Sequence, residues 1–326
     1  MELEYTKEFD PLRPRVTAAA PQGAGPAGDG SASDGPAGDG GRTSANDDEC
    51  ATDDGYATDD EVYVFDDENV VLAVNVALKT GRPLLLFGPP GSGKSSLAPN
   101  VARVLGWEHH AHVVTARTEP EDLLWRFDAL RRLNDAQAQR LDENIERYYT
   151  KGPLWRAFAA ATGRRSVVLI DEIDKADPDL PNSLLGPLGS LSFPVPWDER
   201  KHVSARPDLA PFVVITTNDE RELPRPFLRR CVVFELAPPT RAHLLRVART
   251  HLRGEYDDDL AGRVADHILA VREQMTDPAT GPSTAEFLDA LKACLQLGVV
   301  PGSAAWRQLE AITLRKRRGG GPESAR

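Results

Sequence analysis

The sequence predicts an α/β protein with a parallel sheet that carries helices on both faces, followed by a small all-helical domain. Three observations lead to this expectation. From Val62 onward, short apolar runs alternate with amphipathic helical patterns. The apolar runs stop after Pro238 and Pro239, and four helical patterns follow. Strands that alternate with helices form parallel sheets covered by helices, and 326 residues are enough for two domains.

The first folded domain is expected to span residues 62–237. It opens with a helix that Asp66 or Asp67 caps and that ends before Gly81. Runs typical of buried strands follow near residues 83–87, 112–115, 167–170, 212–216 and 232–236.

The second domain is expected to span residues 238–316. Ser283 and Glu286 have the spacing of a capping box, which marks the start of its third helix. The four helical patterns cover residues 241–252, 257–275, 283–297 and 303–315.

Charge is distributed unevenly between the two ends of the chain. Residues 1–61 hold 15 acids and 4 bases, whereas the remaining 35 acids and 35 bases cancel. Residues 16–61 are rich in Ala, Gly, Pro, Ser and Asp, a composition that buries too little apolar surface to fold. We therefore expect residues 1–61 to form a disordered acidic arm and residues 317–326 a disordered tail. Leu3–Phe9 is a frayed terminus in this interpretation, with a docking peptide as the alternative.

Composition also limits where the protein works and what it binds. The near-neutral folded part disfavours a protein whose main task is to grip nucleic acid. Cys50, Cys231 and Cys294 are too few and too scattered for a disulfide framework or a metal site. No apolar run is long enough to span a membrane, and the first residues lack a signal-peptide layout. These features predict a cytoplasmic protein.

The glycine-rich stretch after the first apolar run carries the clearest chemistry. It matches the pattern G-x-x-x-x-G-K-[ST] from Gly88 to Ser95, between a strand pattern and a helix pattern. In such loops the backbone N–H groups point into one concavity at a helix N-terminus and bind phosphates. The match predicts a P-loop NTPase fold that binds ATP, in which Lys94 contacts the β- and γ-phosphates and Ser95 ligates Mg²⁺. The predicted nucleotide-binding residues are Gly88, Pro89, Pro90, Gly91, Ser92, Gly93, Lys94, Ser95 and Ser96.

Two acids end the third expected strand. Asp171 and Glu172 directly follow the apolar run 167–170, and the carboxyl ends of parallel strands face the ligand. Asp171 is therefore expected to hold Mg²⁺, directly or through water, and Glu172 to orient and deprotonate the attacking water.

Polar residues at the next two strands complete the candidate catalytic set. Asn218 follows the strand near 212–216, where its amide could bond both the γ-phosphate and the attacking water. Arg229 and Arg230 precede the last strand, and a guanidinium is suited to neutralise charge on a transferred phosphoryl group.

This order of motifs resembles the AAA+ ATPases, over residues 62 to about 316. Within them the chain looks most like the MoxR group, because Gly152–Trp155 is similar to the Gly-Pro-Leu-Phe stretch of that group. Two insertions also fit the group, one at 123–149 and one a hairpin over 191–204.

The resemblance implies roles for individual residues. Asn218 is then sensor 1, and Arg230 is the expected arginine finger because it matches the arginine of the group's Leu-Asp-Arg-Phe pattern, with Arg229 as the alternative. The chain departs from the family at the third helix of the lid, where no sensor 2 arginine occurs in 282–286. Arg263 or Arg272 would have to replace it.

The resemblance further implies an ATPase that assembles into a ring, expected to be a hexamer, and remodels a client protein in a chaperone-like way. Partners of the MoxR group often carry a von Willebrand A domain. The alternative is a nucleic-acid motor or a restriction- or loader-type ATPase, although basic residues on the inserted hairpins are mixed with acids. A scaffold that binds ATP without hydrolysing it is disfavoured because both Asp171 and Glu172 are present.

Overall fold

The computed structural model describes residues 6–12, 62–252, 254–275 and 281–314. The expected disorder of residues 1–5, 13–61 and 317–326 lies outside the described residues. The strands are β1 (Leu84–Phe87), β2 (Glu108–Val113), β3 (Trp125–Phe127), β4 (Tyr149–Lys151), β5 (Ser166–Asp171), β6 (Ser192–Val195), β7 (Asp198–Ser204), β8 (Phe212–Thr217) and β9 (Val232–Glu235). The helices are α1 (Glu68–Thr80), α2 (Lys94–Leu105), α3 (Ala129–Gln137), α4 (Pro153–Ala159), α5 (Asp179–Ser183), α6 (Leu185–Ser190), α7 (Arg225–Leu228), α8 (Arg241–His251), α9 (Asp258–Glu273), α10 (Thr284–Leu297) and α11 (Ala304–Thr313).

Five strands form the main sheet, in the order β2-β5-β8-β1-β9, and every neighbouring pair is parallel. Because all five run in one direction, the carboxyl ends of β1, β5 and β8 meet at the same edge. The predicted parallel α/β fold is confirmed.

Alternate residues of the strands enter two separate cores. On one face, Leu85 and Ile170 pack with α4 to α7. On the other, Leu84 and Leu169 pack with α1 and α2. Near-continuous apolar strands are required by this arrangement, since both faces of each central strand are covered.

The second strand differs from the prediction. It was expected over residues 112–115, but β2 begins at Glu108, which pairs with Ser166, and ends at Val113. Each residue of β2 is half-buried because the strand lies at the sheet edge. Because residues 108–112 include a glutamate and three histidines, the strand has no continuous apolar run, and the sequence pattern placed its start too late.

The helical domain has its own core. Leu244, Ile268, Phe287 and Trp306, one from each of α8 to α11, belong to one buried cluster. The predicted capping box at Ser283 is present. Both insertions form antiparallel pairs, β3 with β4 and β6 with β7.

The expectation of a disordered arm is wrong for residues 6–12. Phe9 is fully buried and joins the same core as α1 and α2. Cys231 and Cys294 are buried free thiols. Among the described helices, none has the length and apolar character that crossing a membrane requires.

Candidate nucleotide-binding and catalytic site

The phosphate loop turns between the end of β1 and the start of α2. Gly88, Gly91 and Gly93 have φ of 149°, 72° and 88°, a region that glycine adopts without strain. Gly91 is also needed for close packing, because a Cβ there would lie 2.2 Å from Cβ of Ser283 in the helical domain. The loop therefore curls as its sequence predicts, with the cap of α10 directly against it.

Lys94 points back into the curl of the loop. Its Nζ donates to the carbonyl oxygens of Gly88 at 2.7 Å and Pro89 at 2.9 Å. Burial lowers the pKa of Lys94, and the nearby charges of Asp171 and other acids oppose that shift. The ammonium thus lies in the concavity where phosphate oxygens would be expected.

Asp171 connects the loop to the sheet. Its Oδ1 accepts hydrogen bonds from Ser95 Oγ at 2.9 Å and from Thr216 Oγ1 at 2.5 Å. Hydroxyl and carboxylate oxygens are the ligands that Mg²⁺ prefers. Ser95 and Asp171 therefore fit the predicted metal position.

Glu172 has a backbone conformation that is unusual for a residue with a side chain. Its φ of 58° and ψ of 50° are left-handed, which costs about 1–3 kcal/mol and occurs preferentially at functional sites. Two bonds hold it: its N–H donates to Thr216 Oγ1 at 2.8 Å, and Asn218 Nδ2 donates to its Oε1 at 3.1 Å. Base and sensor candidates are therefore in direct contact.

Two further residues that sequence reasoning missed organise these groups. The buried Thr216 hydroxyl bridges Asp171 and Glu172. The buried Asp174 accepts the backbone N–H groups of Asn218 at 3.2 Å and Glu220 at 3.0 Å through Oδ2. Thr216 ends the run 212–216 that was predicted as a strand. Asp174 lies just beyond Asp171 and Glu172, where the sequence favours the start of the next helix over a supporting role at the site. The one feature of the sequence that could have indicated their role is their position, two or three residues from a candidate site residue.

These groups surround one cleft of about 300 Å³ between the two domains. The cleft brings together the loop, both acids and Asn218. Segment 62–64 lines it from one side and the helical domain from another. The residues contributed by the helical domain are His243, Val247, His251, Thr284, Ala285 and Leu288.

The two candidate arginine fingers lie elsewhere. Arg229 and Arg230 are exposed, do not line the cleft, and border a separate depression of about 690 Å³. Arg230 Nη1 donates to the carbonyl of Leu185 at 3.1 Å. Arg82 fixes the backbone of this segment, since it donates to the carbonyls of Arg230 at 3.2 Å, Cys231 at 2.8 Å and Arg229. The backbone of this segment is thus fixed, and neither arginine lines the cleft of its own chain.

Neither proposed substitute for sensor 2 reaches the cleft. Arg272 is buried and donates to the carbonyls of Gly281 and Pro282 at 3.3 and 2.6 Å. Arg263 forms an ion pair with Asp259 at 3.2 Å. The helical domain instead presents two histidines to the cleft.

Both histidines and Arg246 contact the segment of the first domain that precedes α1. His243 Nδ1 lies 2.9 Å from Oδ2 of Asp66, and Arg246 lies 2.7 Å from the same oxygen. His251 Nε2 lies 3.1 Å from the carbonyl of Val62. Asp67 rather than Asp66 caps α1, which leaves Asp66 free for this contact.

Comparison with known proteins agrees with this geometry. Residues 83–231 match the AAA domain of the dynein-related subfamily. Lon protease of Brucella melitensis is 27% identical over 201 residues, which cover 59% of this chain and 21% of that protein. Lon protease of Erwinia amylovora is 26% identical over 192 residues, 57% of this chain and 22% of that protein. The chain therefore spans about a fifth of the length of these relatives.

Among solved structures, the chain is similar to the Thermotoga maritima RuvB Holliday junction branch migration motor. The identity is 17%, 75% of this chain and 67% of that chain are covered, and the TM-score is 0.43. The parallel strand order and the position of the phosphate loop between β1 and α2 define the fold. The AAA domain match over residues 83–231 agrees with the parallel strand order and with the meeting of the phosphate loop and the two acids in one cleft.

Proposed function

We propose that this protein binds ATP with Mg²⁺ in the cleft between its domains and hydrolyses it. The single observation that carries the proposal is the cleft itself. It gathers a phosphate loop, a hydroxyl–carboxylate pair, a second carboxylate and an amide around one space. Each of these groups has a distinct task in phosphoryl transfer.

Binding is assigned to residues 88–96 and to Ser95 with Asp171. The loop N–H groups and Lys94 hold the β- and γ-phosphates, and Ser95 with Asp171 holds Mg²⁺. The metal supplies charge neutralisation to the phosphates when it is bound.

Catalysis is assigned to Glu172 with Asn218. Glu172 accepts a proton from the attacking water, and Asn218 orients that water and the carboxylate. The hydrogen bond between them holds the carboxylate in one orientation before substrate arrives. Thr216, which bonds both acids, is assigned a positioning role.

The transition-state charge requires a cation that this cleft does not obtain from Arg229 or Arg230 of its own chain. We assign that role to Arg230 of a neighbouring copy, with Arg229 as the alternative, since both lie exposed on another surface. Such a finger contributes about 10³-fold or more in rate. The site is then complete only in an assembly, for which a hexameric ring is the expected form.

The motifs that resemble the MoxR group suggest what the energy of ATP hydrolysis is used for. We propose that the ring remodels a client protein in a chaperone-like way in the cytoplasm, with a von Willebrand A domain as the expected feature of a partner. Support comes from Gly152–Trp155 and from the two insertions, which form hairpins β3–β4 and β6–β7.

A second candidate, a nucleic-acid motor, is favoured by one groove. This groove of about 710 Å³ lies beside the β3–β4 hairpin and is lined by basic side chains with one acid, Asp122. A basic groove attracts a phosphate backbone. The basic side chains are Arg117, Arg126, Lys151 and Arg156, with His109 and His112 beside them.

The direct experiment is steady-state ATP hydrolysis with nucleotide binding measured in parallel. Lys94→Ala should lose tight ATP binding, whereas Glu172→Gln should bind ATP and lower kcat by about 10²- to 10⁴-fold, because glutamine cannot accept the proton. Glu222→Gln, at an exposed acid outside the cleft, is the matched control and should keep wild-type kcat. Near-wild-type turnover by Glu172→Gln would show that Glu172 is not the base.

The same variant separates the two candidate functions. Glu172→Gln should hold ATP and trap its partner during affinity capture. A captured protein that stimulates the wild-type ATPase supports remodelling. Stimulation by nucleic acid that Arg126→Ala with Lys151→Ala abolishes would support the motor instead.

A further inference from the structure

Residues 6–12 contact one site on the first domain. Its backbone is bound by a side-chain amide: Asn75 Oδ1 accepts the N–H groups of Glu8 at 2.7 Å and Phe9 at 2.9 Å, and Asn75 Nδ2 donates to the carbonyl of Phe9 at 2.8 Å. Asn75 is 2% exposed. A buried amide is costly unless it is bonded, so this asparagine serves a peptide backbone at this position.

The Glu8 carboxylate is bound by two cations. Lys79 Nζ lies 3.0 Å from Oε2, and Arg165 Nη1 lies 2.9 Å from Oε1. Arg165 is held independently of the peptide, since its Nε donates to the carbonyl of Ala210 and its guanidinium stacks on Trp107 at 4.0 Å. The acid-binding part of the site is therefore preorganised.

Phe9 fills the apolar part of the site. It is 0% exposed, packs with residues of α1, and meets the Phe65 ring edge-on at 5.1 Å. Phe65 in turn contacts Tyr63 at 4.7 Å, and Tyr63 lines the nucleotide cleft. By contrast, Leu12 is 86% exposed, so the specific contacts are concentrated in Glu8 and Phe9.

We propose that Asn75, Lys79, Arg165 and the apolar face of α1 form an exchangeable peptide-binding site, selective for an extended segment with Glu followed by Phe. Residues 6–12 are its resident ligand. We name this site the peptide cradle. It goes beyond the proposed ATPase activity and does not depend on it.

The connection of the ligand to the domain supports exchange rather than a fixed contact. Residues 13–61 separate Leu12 from Val62, and a chain of that length spans at most about 180 Å. The tether therefore does not by itself restrict the peptide to the cradle of its own chain. Because the resident segment belongs to the same chain, it competes with free peptide for the cradle, and free peptide should bind a vacated cradle more tightly than an occupied one.

The test uses the full-length chain and a fluorescent synthetic peptide of residues 1–15, followed by fluorescence polarisation. Phe9→Ala in the chain should vacate the cradle, and the peptide should then bind at least about tenfold more tightly than to the wild-type chain. Glu8→Lys in the chain is a second way to vacate it. Circular dichroism establishes that each variant is folded.

Specificity is tested on both partners. Adding Asn75→Leu to the Phe9→Ala chain should abolish binding, and Glu8→Gln or Phe9→Ala in the peptide should weaken it by about tenfold or more. Leu12→Ala in the peptide is the matched control and should leave affinity unchanged. The proposal is overturned if neither vacated chain binds the peptide below about 1 mM, or if binding is insensitive to Asn75→Leu.

Discussion

Thr216→Val tests whether a buried hydroxyl positions both catalytic acids. Thr216 is fully buried at the end of β8 and makes two hydrogen bonds, one to Asp171 Oδ1 and one from the N–H of Glu172. Valine has nearly the same shape, so the change removes these bonds and little else. The threonine therefore offers a clean perturbation of the site.

The expected magnitude follows from the two bonds. Leaving the partly buried N–H of Glu172 unpaired costs at most about 1–3 kcal/mol, and a bond to a charged group contributes about 1.5–3 kcal/mol. We expect the free energy of unfolding to fall by about 2–4 kcal/mol, less than the full sum because Ser95 still bonds Asp171. With Glu172 and Asp171 less constrained, kcat should fall by about 10- to 100-fold.

The assays are urea unfolding and ATP hydrolysis, with Thr217→Val as the matched control. Thr217 is the next residue, is equally buried, and accepts the N–H of Asp219 at 3.0 Å rather than contacting the acids. The Thr217→Val variant should have a lower free energy of unfolding and a wild-type kcat. If both valine variants lowered kcat equally, or if Thr216→Val kept wild-type kcat, the bridging role would be refuted.

Two further predictions concern positioning and pH. Arg82→Ala should lower kcat by about 10- to 100-fold at unchanged ATP affinity, because Arg82 holds the carbonyl of Arg230; wild-type kcat would contradict this. Burial acts to raise the pKa of Asp66, but the hydrogen bond and charge of His243 and the charge of Arg246 lower it below its usual 3.8. Its stabilisation is therefore complete above about pH 5 and lost as pH falls through that lowered pKa, so Asp66→Asn should flatten the acid limb of thermal stability against pH.

The central strands and the phosphate loop were predictable because their signals are local. Leu84–Phe87 and Ser166–Asp171 are apolar on both faces, since helices cover both sides of the sheet. Gly88 to Ser95 has a spacing that few other structures require. The carboxyl ends of parallel strands share one edge of the sheet. Once parallel strands were assumed, the sequence therefore predicted that Asp171, Glu172 and Asn218 lie near one another.

Other features depended on contacts between distant segments. Glu108–Val113 lacks an apolar run because it is an edge strand. The binding of Phe9 depends on Asn75, 66 residues away, and composition alone suggested disorder around it. Arg82 acts on carbonyls about 150 residues later in the chain, the separations being 147 to 149. No pattern in the sequence links such pairs.

The central claim is an ATPase whose site is completed by a neighbouring copy, and mixing two inactive variants tests it most directly. The Arg230→Ala chain retains an intact phosphate loop, and the Lys94→Ala chain retains an intact arginine finger. In a random equal mixture about a quarter of the interfaces pair an intact loop with an intact finger. Each variant alone should be inactive, and the mixture should recover ATP hydrolysis at a level that rises with protein concentration. Full activity of Arg230→Ala alongside an inactive Arg229→Ala would move the role to Arg229. Full activity of the wild-type chain in a strictly monomeric sample would contradict the account.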